Sequence, residues 1–153
     1  MKPDSMLSRQ QALGGCPEDF RDLLQQAHQG LLSQLDKELA PHNITAAQIF
    51  VVIGIVQGWA HTLTEFSTYM GQDAGAMKRL LDRVESKGII RRARSRHDRR
   101  SVVLELSEQG RQLYPHITDA VAKVNARLLA DFSNVEIAQL RFFLLKLVGN
   151  AKH

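Results

Sequence analysis

The chain of 153 residues is 44% hydrophobic and 24% charged, the make-up of one soluble domain with room for a core, and its formal charge of +4 is too small to name a partner. No stretch reaches the roughly 18 to 20 consecutive apolar residues that span a bilayer, and the N-terminus lacks the apolar centre of a signal peptide, so a cytosolic protein without membrane contact is expected. A lone cysteine, Cys16, excludes an internal disulfide, and 6% aromatic residues argue against single-strand nucleic-acid platforms while leaving duplex binding open.

Residues 1–15 mix Pro, Ser, Gln and Gly14-Gly15 without a period and read as a mobile tail. From Pro17, the residues Phe20, Leu23, Leu24, Ala27, Leu31, Leu32, Leu35 and Leu39 recur at intervals of three and four, which predicts a long amphipathic helix ending near Pro41. Thr45 with Gln48 has the spacing of a capping box and opens an apolar helix over Ile49–Val56 that Gly58 terminates. Thr62 with Glu65 repeats the device before the short helix LTEFSTYM. Gly71 and Gln72 make a turn, Asp73 caps a helix through Lys87, and Gly88 ends it in the left-handed conformation. The runs Ile89-Ile90 and Ser101–Leu106 then predict a β-hairpin with a long basic tip. Ser107 opens a further helix, and Ser133 with Glu136 caps the last one.

The fold class is therefore mainly α with a small β-hairpin, a winged helix-turn-helix over 41–107. A helical dimerisation region comes from both ends, 16–40 and 108–151. The outer helices carry apolar faces that the winged unit cannot cover. Pairing them with the same helices of a second copy gives a two-fold homodimer with two reading heads.

Charge is concentrated in the middle of the chain. Lys78 to Arg100 holds ten basic residues against Asp82, Glu85 and Asp98, a net of +7, so the remainder sums to −3. In a helix-turn-helix the second helix enters the major groove of DNA with its N-terminal residues at the base edges. The small residues Ala74, Gly75 and Ala76 permit a close approach there, and Gln72, Lys78 and Arg79 can donate to base edges or phosphates. Lys87, Arg91, Arg92, Arg94, Arg96, Arg99 and Arg100 place seven cations in fourteen residues, opposed only by Asp98. Phosphates are their natural counter-charge, and an arginine gains further in a narrow minor groove. Double-stranded DNA with a pseudo-palindromic operator is the expected partner.

The run ITAAQ (44–48), followed by DAGAMKRLLDRVESKGIIRR (73–92), DRR (98–100) and VVLELSEQG (102–110), resembles the MarR family of bacterial winged-helix regulators over residues 31–149. The resemblance implies that the helix from Asp73 is the recognition helix, with Lys78 and Arg79 on DNA. It also implies that Asp98 shapes the wing and that Arg100 enters the minor groove; Arg96 at the tip is an additional candidate, and Arg94 and Arg99 are DNA-binding candidates from the basic cluster. In the family's antibiotic-resistance branch, salicylate-like anions are held by residues matching Lys78 and Arg92, with Arg83 nearby. This sequence departs from that branch in having Lys rather than Thr at position 78. The family's second pocket lies between dimerisation helices and winged unit, where His28, Phe50, Trp59, His61 and Phe66 are candidate lining residues. The implied function is a repressor of efflux or detoxification genes released by small aromatic ligands.

Two alternatives stay open. Peroxide-sensing members of the family use a cysteine in the first helix with nearby tyrosines, which makes Cys16 a redox candidate. GGCPEDF does not match their motif, the only tyrosines are Tyr69 and Tyr114, and the bland reading is a residue at a helix start. A non-regulatory duplex-binding protein would need the same wing. An enzyme is not expected: there is no Gly-rich phosphate loop, no G-x-S-x-G, no carboxylate pair placed for catalysis and no cofactor motif. No metal is expected either, because His28, His42, His61, His97, His116 and His153 show no ligand spacing.

Overall fold

A computed structural model describes residues 18–98 and 100–152. Helix α1 (Glu18–Leu39) leads through a 3-10 turn (Ala40–His42) to α2 (Ala46–Gln57), α3 (Leu63–Met70) and α4 (Ala74–Ser86). Strands β1 (Ile90–Arg94) and β2 (Val102–Leu106) form an antiparallel hairpin, and α5 (Glu108–Leu128) and α6 (Asn134–Asn150) complete the chain. Mainly helical architecture with one hairpin is what the patterning predicts.

The boundaries follow from the capping residues. Reciprocal boxes close at Thr45/Gln48, Thr62/Glu65 and Ser133/Glu136, each satisfying backbone donors that the first helical turn leaves open. Asp73 accepts from Ala76 N at 2.9 Å, and Ser107 accepts from Gly110 N at 3.0 Å. Gly58 and Gly88 end their helices at φ 74° and 72°, a region that costs a side-chain-bearing residue about 1 kcal/mol or more. The start of α2 is also tied to α1, because Asp36 Oδ1 accepts from Ala46 N at 2.6 Å.

Three of these caps are carboxylates that the fold holds below their ordinary pKa. The cause is chiefly the N–H of His61 for Glu65, of Ala76 for Asp73 and of Ser133 for Glu136. A depressed folded value contributes stability that is complete above the unfolded pKa and lost as pH falls through the folded one. Denaturation midpoints should therefore be level from neutrality to about pH 5 and fall below about pH 4. A midpoint that already drops between neutrality and pH 5 would contradict this.

One core runs through the winged unit and the inner ends of α1 and α5. Leu35 and Leu39 of α1, Ile49, Val51 and Val52 of α2, Phe66 of α3, and Met77, Leu81 and Val84 of α4 are buried with Ile117, Ala120 and Val124 of α5. Each large side chain contributes roughly 1.5 to 3 kcal/mol by leaving water. The first half of α1 behaves differently: Phe20, Leu23 and Leu24 are exposed. Helix α6 buries no side chain at all, although Leu140, Phe142, Phe143, Leu144, Leu145 and Val148 lie along it.

The hairpin departs from expectation in one respect. Strand β1 continues through Arg91, Arg92 and Arg94 rather than ending at Ile90, in the register Ile90↔Leu106, Arg92↔Leu104 and Arg94↔Val102. Pairing with β2 satisfies the backbone of the charged stretch, and the alternation puts Arg92 and Arg94 on the face of Ile90 and Leu104 and Arg91 on the opposite face beside Glu105. The tip is shortened to residues 95–101. Leu104 N also donates to His61 O at 2.7 Å, which attaches the segment before α3 to the far edge of β2 as a one-bond remnant of a third strand.

Candidate nucleic-acid interface

Helix α4 is presented by the turn that precedes it. Gln72 N donates back to Ser67 O at 3.1 Å, Asp73 caps, and Gln72, Ala74 and Gly75 are exposed while Ala76 is half-buried. Met77, Leu80, Leu81 and Val84 face the core. The 3.6-residue period therefore turns Gly75, Lys78, Arg79 and Asp82 outward. Arg79 and Arg83 are exposed and make no ion pair with any described residue.

Lys78 and Arg92 are joined through acids. Lys78 Nζ lies 2.7 Å from Asp82 Oδ2, and Arg92 Nη2 lies 2.7 Å from Asp82 Oδ1. The other Arg92 nitrogen pairs with Glu85 Oε2. The Asp82 carboxyl is held below its ordinary pKa by these hydrogen bonds, first from Lys78 and then from Arg92. The network fastens α4 to the first strand of the wing. Asp82 and Glu85 were not among the residues the sequence singles out, yet the i, i+4 spacing of Lys78 and Asp82 carried the signal.

The wing tip is built from short polar loops of hydrogen bonds. Ser95 Oγ accepts from His97 N at 3.2 Å and Asp98 N at 3.3 Å, Asp98 Oδ1 accepts from Arg100 N at 2.9 Å, and Ser95 N donates to Ser101 O at 2.9 Å. Asp98 thus folds the tip around the backbone of Arg100. The side chains of Arg94, Arg96 and Arg100 are exposed and, among the described residues, free of ion pairs. Arg99 lies outside the described residues.

Not all of the positive charge is available to a ligand. Arg91 pairs with Glu105 across the strands at 3.0 Å, Arg92 is taken by Asp82 and Glu85, and Lys87 turns inward. Lys87 Nζ donates to Asn43 O and, at 2.9 Å, to Gln48 Oε1, so it joins the end of α4 to the capping box of α2. Its place among the phosphate-seeking cations is corrected: it is a structural tie. Available charge is concentrated at Arg79 and Arg83 on the helix and at Arg94, Arg96 and Arg100 on the wing.

Of the candidate lining residues of a small-molecule pocket, Trp59 and Phe66 meet beside Gly54, and neither His28 nor Trp59 lines either of the clefts described below. His28 is exposed on α1, and Phe50 is half-buried on α2. Trp59 donates from Nε1 to Gln57 Oε1 at 3.1 Å and stacks on Tyr69 with ring centroids 4.7 Å apart. Phe66 is a core residue packed so tightly against α2 that a Cβ on Gly54 would sit 2.7 Å from its ring. His61 lines a cleft of about 690 Å³ under the wing. Its floor is Ile55, Val56, Val103, Leu104 and Leu106, and Arg94, Arg96, His97 and Arg111 stand around it. A smaller cleft of about 230 Å³ between α2 and α5 is lined by Ile53, Gln57, Tyr114, Thr118 and Val121. Neither contains His28 or Trp59. Cys16 lies outside the described residues. No three His, Cys, Asp or Glu side chains among the described residues converge to hold a metal ion.

A model of the MarR family matches residues 44–102, the span from the start of α2 to the wing. The multiple antibiotic resistance protein MarR of Escherichia coli strain K12 is 30% identical over 115 residues, covering 74% of this chain and 80% of that protein. The chain belongs to the MarR family. It is a winged-helix transcriptional regulator, and the motifs at 44–48, 73–92 and 98–100 all fall inside the matched span. The HTH-type transcriptional repressor MdtR of Bacillus subtilis strain 168 is 24% identical over 147 residues, 96% of this chain and 92% of its own. Among solved structures, a cysteine-to-serine variant of E. coli MarR complexed with operator DNA matches at 28% identity. Its TM-score is 0.76, over 84% of this chain and 93% of that one. A MarR regulator from Methanosarcina mazei Go1 shares the fold at 19% identity, with a TM-score of 0.80 over 88% of this chain and 96% of that one. No single helix among the described residues of this MarR-family chain is long and apolar enough to cross a membrane.

Proposed function

We propose that this protein is a homodimeric, sequence-specific DNA-binding regulator that represses efflux or detoxification genes until a small aromatic anion displaces it. The observation that carries the reading is a helix start with Gln72, Ala74, Gly75, Lys78 and Arg79 exposed, followed in the same unit by a wing whose Arg94, Arg96 and Arg100 form no ion pair among the described residues. The similarity to a MarR variant complexed with operator DNA supports it. Residues 41–107 form the reading unit; 16–40 and 108–151 hold two copies together, with two α4 helices about 34 to 36 Å apart to read a pseudo-palindrome. The cytosol is where such a target is met.

For the ligand, Lys78 and Arg92, with Arg83 nearby, supply cations at one candidate site, and Trp59 and His28 belong to a second one between the dimerisation helices and the winged unit. An anion at Lys78 and Arg92 must displace Asp82. Coupling of about 1 to 3 kcal/mol between ligand and DNA gives roughly 5- to 150-fold derepression. Selecting bound fragments from the source genome against excess unrelated duplex, then adding salicylate-like phenols to the best complex, tests both halves. Specific binding survives competition by about 10³-fold or more, and a protein that binds all duplexes alike does not.

Two substitutions test the interface. Arg79→Ala should cost about 1 to 3 kcal/mol on a selected fragment and much less on unrelated duplex if the side chain reads a base. Arg100→Ala should weaken both and lower the salt slope by about one unit, as the loss of one phosphate or minor-groove contact requires. An unchanged slope in gel-shift titrations over a range of salt would sink the placement of Arg100 at DNA.

A further inference from the structure

We propose that Asp82 is a specificity-determining residue of the interface, an acid on the DNA-facing side of α4 that keeps Lys78 and Arg92 away from phosphates until a fitting operator is engaged. The inference rests on the DNA-binding reading above. Its starting point is an oddity of charge. In the most basic part of the chain, the outward face of the recognition helix carries a carboxylate in line with Gly75 and Arg79, opposite the buried Met77, Leu81 and Val84. A carboxylate there repels every duplex, because it meets the same phosphates whatever the sequence.

Both of its oxygens are occupied. Oδ2 takes Lys78 at 2.7 Å and Oδ1 takes Arg92 at 2.7 Å, while Glu85 holds the second Arg92 nitrogen. Asp82 is therefore not free to accept from a base, and the two cations are not free to release counterions from DNA. Binding unrelated duplex through Lys78 requires breaking its pair with Asp82 for one phosphate contact, an exchange of similar charge interactions that gains little. In the fitted complex, the groove contacts of the helix start bring a phosphate to Lys78 at no further ordering cost. The exchange then occurs where the rest of the surface already matches. Discrimination thus comes from an element that penalises the wrong partner as much as from contacts that favour the right one.

The experiment compares wild type with Asp82→Asn on two probes: a 30-base-pair duplex (about three helical turns) of random sequence, and a duplex selected from a random pool by the wild-type protein. Asp82→Asn should bind the random duplex several-fold more tightly, with a salt slope steeper by about one unit for each cation released. Its preference for the selected duplex should fall accordingly. Asp82→Glu should return the random-duplex affinity towards wild type, and Lys78→Ala combined with Asp82→Asn should remove most of the gain. Glu85→Gln, which loosens Arg92 alone, should give a smaller gain in the same direction and serves if Asp82→Asn melts below the assay temperature. Folded Asp82→Asn or Glu85→Gln protein that binds the random duplex no better than wild type would overturn the proposal while leaving the DNA-binding reading intact. A wild type that does not prefer its selected duplex would overturn the reading itself.

Discussion

Phe143→Glu is expected to leave the winged unit folded and to dissociate the proposed dimer, abolishing binding to a pseudo-palindromic operator. Among the described residues little covers this side chain: Phe142 and Phe143 are 60% and 58% exposed, and α6 contributes no side chain to the core. Burying one phenylalanine is worth roughly 1.5 to 3 kcal/mol, and two-fold symmetry counts each substitution twice. Losing about 3 to 6 kcal/mol raises the dissociation constant by roughly 10² to 10⁴. A separate reading head retains only half of the contacts. Sedimentation at micromolar concentration should show a monomer with unchanged far-ultraviolet dichroism. A variant that stays dimeric would mean that the apolar stripe of α6 has another purpose.

Gly110→Ala should unfold the protein at a distinctly lower temperature. The backbone of α5 passes so close to the end of α4 that a Cβ at position 110 would lie 2.1 Å from Ile89 O. That oxygen also accepts from Ser107 N and Ser107 Oγ, both at 3.0 Å, so the clash falls on the joint that seats α5. Overpacking against side chains costs typically about 1 to 3 kcal/mol. Backbone gives less readily, and each hydrogen bond lost adds about 1 kcal/mol. A total near 3 to 5 kcal/mol corresponds to a melting temperature lower by roughly 10 °C or more for a chain of this size. An unchanged melt would show that the joint yields more freely than its contacts suggest.

Much of the fold is legible because its helix ends are written locally. Thr45/Gln48, Thr62/Glu65 and Ser133/Glu136 are three-residue signals, and each box closes as its spacing demands. Gly58 and Gly88 mark ends just as locally. Strand β1 was harder to place. Its last residues are arginines with no apolar alternation, and they are strand only because β2 pairs with them.

The site divides in the same way. The exposed positions of α4 and the Asp98 turn follow from spacing over a few residues. Which cations are already spent does not. Lys87 reaches residues 39 and 44 positions away, and Arg92 reaches 7 and 10 positions back, so both require the packed helices. Among the aromatic and histidine candidates, Phe66 fills the core against Gly54 with Trp59 beside it, a placement set by helix packing rather than by local spacing.

The single hydrogen bond from Leu104 to His61 makes the hairpin a cantilever. At its root, Ile90, Leu104 and Leu106 are buried, and this bond clamps the outer edge of β2. Beyond Arg92, the hydrogen bonds and ion pairs among the described residues tie the hairpin only to its partner strand and to the tip's own turn. At about 3.3 Å per residue, the two strand steps from Arg92 to Arg94 carry the tip turn roughly 7 Å beyond the clamp. A beam fixed at one end bends most at its tip, so at the proposed interface Arg96 and Arg100 would follow a groove that widens or narrows while the clamped end keeps its alignment with α4. Stiffness is graded along the hairpin, and tolerance to the shape of the duplex is greatest where the free arginines sit.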